Sequence, residues 1–300
     1  MARLDMWLAA LAMLSSGCSV QQFALNSLGD MLASGNGIFE SDNDPVLIGE
    51  ALPFSLKLID SLLEQQPDHQ GLLLAAARGY TFYGYAYVSW PAERLSRDDI
   101  DAARVLRARA RNLYLRAHGY ASHALSIDYP NVTPLLREDP ALAVRALDGR
   151  SERDLELLYW NAASLGLAIS SARNEPALLA RLPEVEAFLN RALELDEAWD
   201  AGATHEFALN IGPISGADAA ELEAHYLRAL ELSSGLRASL FLAYADAVAL
   251  PRQDRAMFTE LIGKALALDI DAAPERRLLN VITQERADWL LLSIDELFLE

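Results

Sequence analysis

A single cysteine, Cys18, stands among the 300 residues. One thiol excludes an intramolecular disulfide and a cysteine-built zinc site, since both need several. Basic residues are scarce too: 25 lysines and arginines against 43 aspartates and glutamates leave a net charge of -18. A field of that sign repels phosphate backbones, which disfavours nucleic-acid binding and adsorption of the folded body on anionic membranes. Alternating β-branched runs joined by tight turns are missing, so strands are not expected. A P-loop, a serine nucleophile elbow and a dinucleotide glycine fingerprint are also missing. The histidines, at 69, 118, 123, 205 and 225, form no metal-ligand pair on one helix face. His205-Glu206 begins like a zinc-protease motif, but Leu209 occupies the position of the second histidine. The expectation is a binding protein without metal or cofactor. A hydrolase using His205 and Glu206 is a distant alternative.

The position of the lone cysteine is informative. Arg3, an apolar run from Met6 to Leu14 and then Ser15-Ser16-Gly17 precede it. That order is a charged n-region, a short h-region and a small-residue cleavage site. The run is about half of the ~20 residues that span a bilayer, so it is not expected to remain as a transmembrane helix. Small residues directly before a cysteine resemble a lipoprotein signal, in which cleavage leaves the cysteine lipidated. Residues 1-17 are thus read as a signal peptide, Cys18 as the lipidated residue and 18-44 as a tether. Acyl chains would hold the protein at a membrane while its body stays in water.

What is abundant is amphipathic helix. Hydrophobic residues make up 52% of the chain, enough for a sizeable core. Asp44-Pro45 is a good helix start, a side-chain acceptor followed by proline where no amide donor is missed. Pro53 is expected to kink or restart that helix. Arg191-Ala192-Leu193, Arg228-Ala229-Leu230 and Lys264-Ala265-Leu266 recur 37 and 36 positions apart, and His123-Ala124-Leu125 precedes them in the same phase. Such a period suggests tetratricopeptide-like helical hairpins, which must stack because none can hide its own apolar face. The fold expected is therefore all-α: hairpins at 71-127, 154-196, 199-232 and 236-268 within a repeat domain spanning 45-300. Helices at 45-65 and 274-292 are expected to cap opposite ends.

Several residues are candidates for ligand contact. Tyr80, Tyr83, Tyr87 and Trp90 follow helical spacing and share one face, giving either an aromatic pocket wall or, more commonly, packing between hairpins. Asn161, His205, Glu206, Asn280 and Gln284 are polar residues on otherwise apolar helices. Each must find partners, as a tie between hairpins or as part of a wet lining. Arg104, Arg107 and Arg111 share a face in the one basic concentration of the chain. A solvated, salt-bridged surface is the plain reading, and an anion or partner contact the sharper one.

Longer stretches carry a resemblance. Asp44-Pro45, Ala51-Leu52-Pro53-Phe54, Leu158-Tyr159-Trp160, Arg191 to Asp196, Trp199-Asp200-Ala201-Gly202, His205-Glu206-Phe207 and Gln284 to Trp289 stand in order along the chain. With them the sequence resembles the T component of TRAP transporters associated with tetratricopeptide proteins. The resemblance implies a periplasmic lipoprotein, at the outer membrane ahead of the inner, that assembles as a trimer. Its partner would be the solute-binding P component, and its ligand a small organic or hydrophobic solute. An envelope-assembly scaffold that grips peptides in a concave groove is the alternative.

Overall fold

The structure is a computed structural model, and it describes residues 36–151 and 153–298. The expected signal peptide and lipidated Cys18 lie outside these residues. Every regular element among those described is helical. The long helices are α1 (Pro45–Gln65), α2 (Gln70–Gly84, widening to a π turn at Tyr85–Ser89 and ending at Trp90–Leu95) and α3 (Ile100–Asp128). Next come α4 (Arg153–Ser170), α5 (Leu182–Asp196), α6 (Ala203–Ser215) and α7 (Ala219–Leu232). The series ends with α8 (Ala238–Tyr244, widening to a π turn at Ala245–Ala249), α9 (Arg255–Ala267) and α10 (Arg277–Leu292).

Aspartates start many of these helices. Asp44, Asp99, Asp218 and Asp254 each accept a backbone N–H from the first turn, so part of the acidic surplus serves as caps. Pro53 neither stops nor restarts α1, which runs on through it. The helices pair as α2/α3, α4/α5, α6/α7 and α8/α9, and the first helix of each hairpin also packs on the first helix of the next. The repeat-marking alanines Ala124, Ala192, Ala229 and Ala265 are all fully buried. Their smallness is what lets neighbours approach: Gly202, with φ 81°, lies so close to Ala229 that a Cβ would sit 3.2 Å from its Cα. Between α3 and α4, short helices at Val132–Leu135 and Pro140–Ala143 bury Leu136, Val144 and Leu147, a plug the repeat pattern did not predict.

The capping helices do not stand at opposite ends. α10 lies against α1, and Ile48, Ala86, Leu278 and Ile282 form one small core there. Asn36–Glu40, inside the stretch read as tether, is a helical turn packed on α10, and Arg277 Nη1 donates to the Ser41 carbonyl. α10 also meets α2, where the Trp90 and Trp289 rings cross edge to face at 5.0 Å. Curvature accumulated over successive hairpins thus brings the last helix back to the first, and α2, α4, α6, α8 and α10 face a common interior.

Candidate functional site

That interior is polar. At the α2–α10 seam Arg286 donates to both Glu93 carboxylate oxygens at 3.0 Å and to Asp246 Oδ2 at 2.8 Å. Burial alone would depress the guanidinium, but Asp246 and Glu93 hold its pKa well above the ordinary value. Burial pushes the Asp246 carboxyl up, against the pull of Arg286. Yet the Asp246 and Glu93 side chains keep 35% and 39% of their surface exposed. Deep placement with retained solvent contact means they line a cavity. Its volume is about 150 Å³, and Tyr85, Ser89, Trp90, Asn210, Ile282 and Thr283 complete the wall.

A second charged set lies further along the same interior. Arg237 donates to Glu206 at 3.0 Å and to Asp200 at 2.8 Å, and Arg276 reaches the other Asp200 oxygen at 2.8 Å. Asp200 sits at φ 44°, a left-handed conformation costly for a residue with a Cβ, and two guanidiniums pin it there. Tyr85 feels the charges of Arg286, Glu206, Glu93 and Asp246, while Tyr159 feels Glu206, Arg237 and Asp200. Glu206 therefore lies between the two sets, and burial raises the pKa of both phenols.

The sequence candidates are distributed differently. Tyr80 donates to Asp60 and stacks on Tyr120, Tyr83 packs on Tyr87, and Tyr87 donates to the Pro45 carbonyl. These three cement α1, α2 and α3, and of the four aromatic candidates only Trp90 reaches the cavity. The π turn at Tyr85–Ser89 adds a residue to one turn, so the regular i, i+3, i+7, i+10 face predicted for the tract is broken. Asn161 is fully buried and ties α4 to α3 by accepting from Ser122. Asn280 accepts from Ala238 N–H and donates to the Leu236 carbonyl, anchoring the start of α8. Gln284 donates to the carbonyls that end α9. His205 faces α7, its Nδ1 2.8 Å from His225 Nδ1, whereas Glu206 turns to Arg237. Arg104 pairs with Asp101 and Arg107 is exposed, both on the outer surface, while Arg111 reaches Glu175. Of the candidates, Glu206 and Trp90 alone belong to the polar interior. Arg286, Asp246, Glu93, Tyr85 and Arg237 were missed, although Asp246, the single charge on the apolar run Ala238–Ala249, is itself a signal that a charge must be answered inside.

Among the described residues no group of three or more His, Cys, Asp or Glu is placed to hold a metal ion, and no helix is long and apolar enough to cross a membrane. The described residues thus form a curled, all-α stack of helical hairpins with a charged interior. The sequence model of the family described as "TRAP transporter T-component" matches residues 41–298, and the chain belongs to that family, one of transporter components. A protein of Treponema pallidum (strain Nichols), whose name is "Uncharacterized protein", is 29% identical over 310 residues, covering 97% of this chain and 96% of its own.

Proposed function

We propose that this chain is a lipid-anchored periplasmic T component that holds a small organic solute in its interior and pairs with the solute-binding P component during uptake. The observation that carries the reading is the cavity bounded by α2, α6, α8 and α10, polar and reachable by water inside an otherwise apolar stack. A peptide-gripping scaffold needs an open concave face, and the Trp90–Trp289 and Glu93–Arg286 contacts between α2 and α10 narrow that face. For the P component, the favoured surface is the face of α3 where Arg104 and Arg107 stand beside exposed Ile100 and Val105, the one basic concentration on an acidic body. Assembly as a trimer would cover the exposed Ile38, Val46, Leu47 and Phe54.

The test is capture of a TRAP-type solute-binding protein by the full-length protein, with mass spectrometry of co-purified small molecules and sedimentation for the oligomer. Stoichiometric capture with a retained solute is expected. A protein that captures no P component and retains no solute would overturn the proposal.

A further inference from the structure

We propose that the cavity at the α2–α10 seam receives the head of a small ammonium-bearing solute, with Asp246 as its anionic receptor. This rests on the reading that the interior holds a solute, and it names the chemical class.

The first argument is charge. One guanidinium, Arg286, answers two carboxylates, Glu93 and Asp246, and leaves a negative charge in an enclosed space. A cation restores neutrality, whereas a free carboxylate would add a further like charge beside two. The second is valence. Arg286 and Glu93 form a two-pronged pair, and Asp246 uses only Oδ2 toward Arg286. Asp246 Oδ1, the Tyr85 hydroxyl and Asn210 Oδ1 receive no hydrogen bond from the protein, and none of these atoms is sealed from water. Acceptors predominate among the open polar atoms, and an ammonium brings three donors. Tyr85 and Trp90 add aromatic rings to the lining, a surrounding in which cations are often held. The third is backbone. Of the regular helices described, only α2 and α8 carry π turns, at Tyr85–Ser89 and Ala245–Ala249. These turns hold Tyr85, Ser89 and Asp246 at the cavity, and such bulges recur at functional sites.

Size narrows the class. A space of about 150 Å³ suits a group no larger than roughly a benzene ring, so a short amine or the amino end of a longer solute fits. Arg286 Nη1, which makes no hydrogen bond in the protein, leaves a place for an oxygen of the same solute.

Ligand-observed NMR on the full-length protein with butylamine, 4-aminobutyrate, butyrate and 1-butanol tests the assignment. The two amines are expected to bind, and butyrate and butanol not. Asp246→Asn should weaken butylamine by at least about tenfold. Because Asp246 also braces Arg286, Asn210→Leu at the exposed mouth is the second variant, expected to act in the same direction without changing the melting midpoint. Butyrate bound in preference to butylamine, butylamine bound equally well by both variants, or no probe bound at all overturns the assignment. Capture of the P component is scored separately, so its survival in any of those cases would leave the transport role standing.

Discussion

Two aspartates, Asp60 on α1 and Asp246 on α8, meet arginines in opposite ways. Asp60 is saturated: Lys57, Arg116 and Tyr80 donate to Oδ2 and Tyr120 to Oδ1, at 2.6 to 2.7 Å. Burial opposes its ionisation, but the bonds from Lys57, Tyr120 and Tyr80 outweigh that and lower its pKa. Two cations serve one anion, and the cluster ties α1, α2 and α3 together. At Asp246 the ratio is reversed, with one cation for two anions, an open carboxylate oxygen and a raised pKa. The difference is one of saturation: a fully satisfied buried network rigidifies the fold, whereas Asp246 keeps an oxygen free for a further donor.

The largest effect expected is from Arg286→Leu, which strands Glu93 and Asp246 at the seam. Removing one member of a fully buried ionic group costs about 3–5 kcal/mol, and the partly exposed carboxylates here place the loss at or below the low end of that range. Urea unfolding should show that loss, and a stability within about 1 kcal/mol of the parent would mean that the seam does not depend on this pair. Asparagine substitutions sharpen the contrast. Asp60→Asn removes the charge from four hydrogen bonds and should cost about 1.5–3 kcal/mol. Asp246→Asn leaves Arg286 neutralised by Glu93 and should cost under about 1 kcal/mol. Equal losses would erase the distinction. Acid titration gives the sign independently. The folded pKa of Asp60 lies below its ordinary 3.8, so its stabilisation is present above that value and lost as pH falls through the folded one. The folded pKa of Asp246 is raised, so its contribution is present below 3.8 and lost as pH rises through the raised value.

The architecture was legible in the sequence because repetition and capping are local. The Ala-Leu recurrence located every hairpin to within a few residues, and Asp44-Pro45 marked the start of α1. Closure was not legible, since it depends on small rotations summed over many helices, and no residue announces that α10 will touch α1 and α2. The interior suffered for the same reason. Tyr80, Tyr83 and Tyr87 look like a wall on a regular helix, and the π turn that breaks that face depends on tertiary context. Asn161, Asn280 and Gln284 were recognised as polar groups needing partners, but a buried amide looks the same in sequence whether it ties hairpins or lines a cavity.

His118 offers a third pattern, a buried base satisfied on one side only, whose effect is absent at neutral pH and appears on acidification. Its Nε2 accepts from Arg181 at 2.8 Å while Nδ1 has no partner. Burial, reinforced by the Arg181 charge, pushes its pKa from 6.5 down to about 3. The native state therefore keeps it neutral while the unfolded chain binds a proton, and stability should fall by about 1.4 kcal/mol for each pH unit below about 6.5. His118→Gln should remove that part of the acid slope. Parallel wild-type and variant curves between pH 6.5 and 4 would show that the imidazole takes no part.

The smallest effect on stability belongs to Arg104, which lies outside both kinds of network. It pairs only with Asp101, one turn away, and both side chains are mostly solvent-exposed. Exposed pairs at that spacing contribute under about 0.5 kcal/mol, so Arg104→Ala should leave unfolding almost unmoved. Its value lies in separating surface from scaffold. If the α3 face meets the P component, Arg104→Ala combined with Arg107→Ala should slow capture and flatten its salt dependence while the melting curve stays in place, as rim charges govern encounter more than stability. Unchanged capture with an unchanged melting curve would remove this face from the interaction, leaving the exposed apolar residues of α1 as the surface to examine.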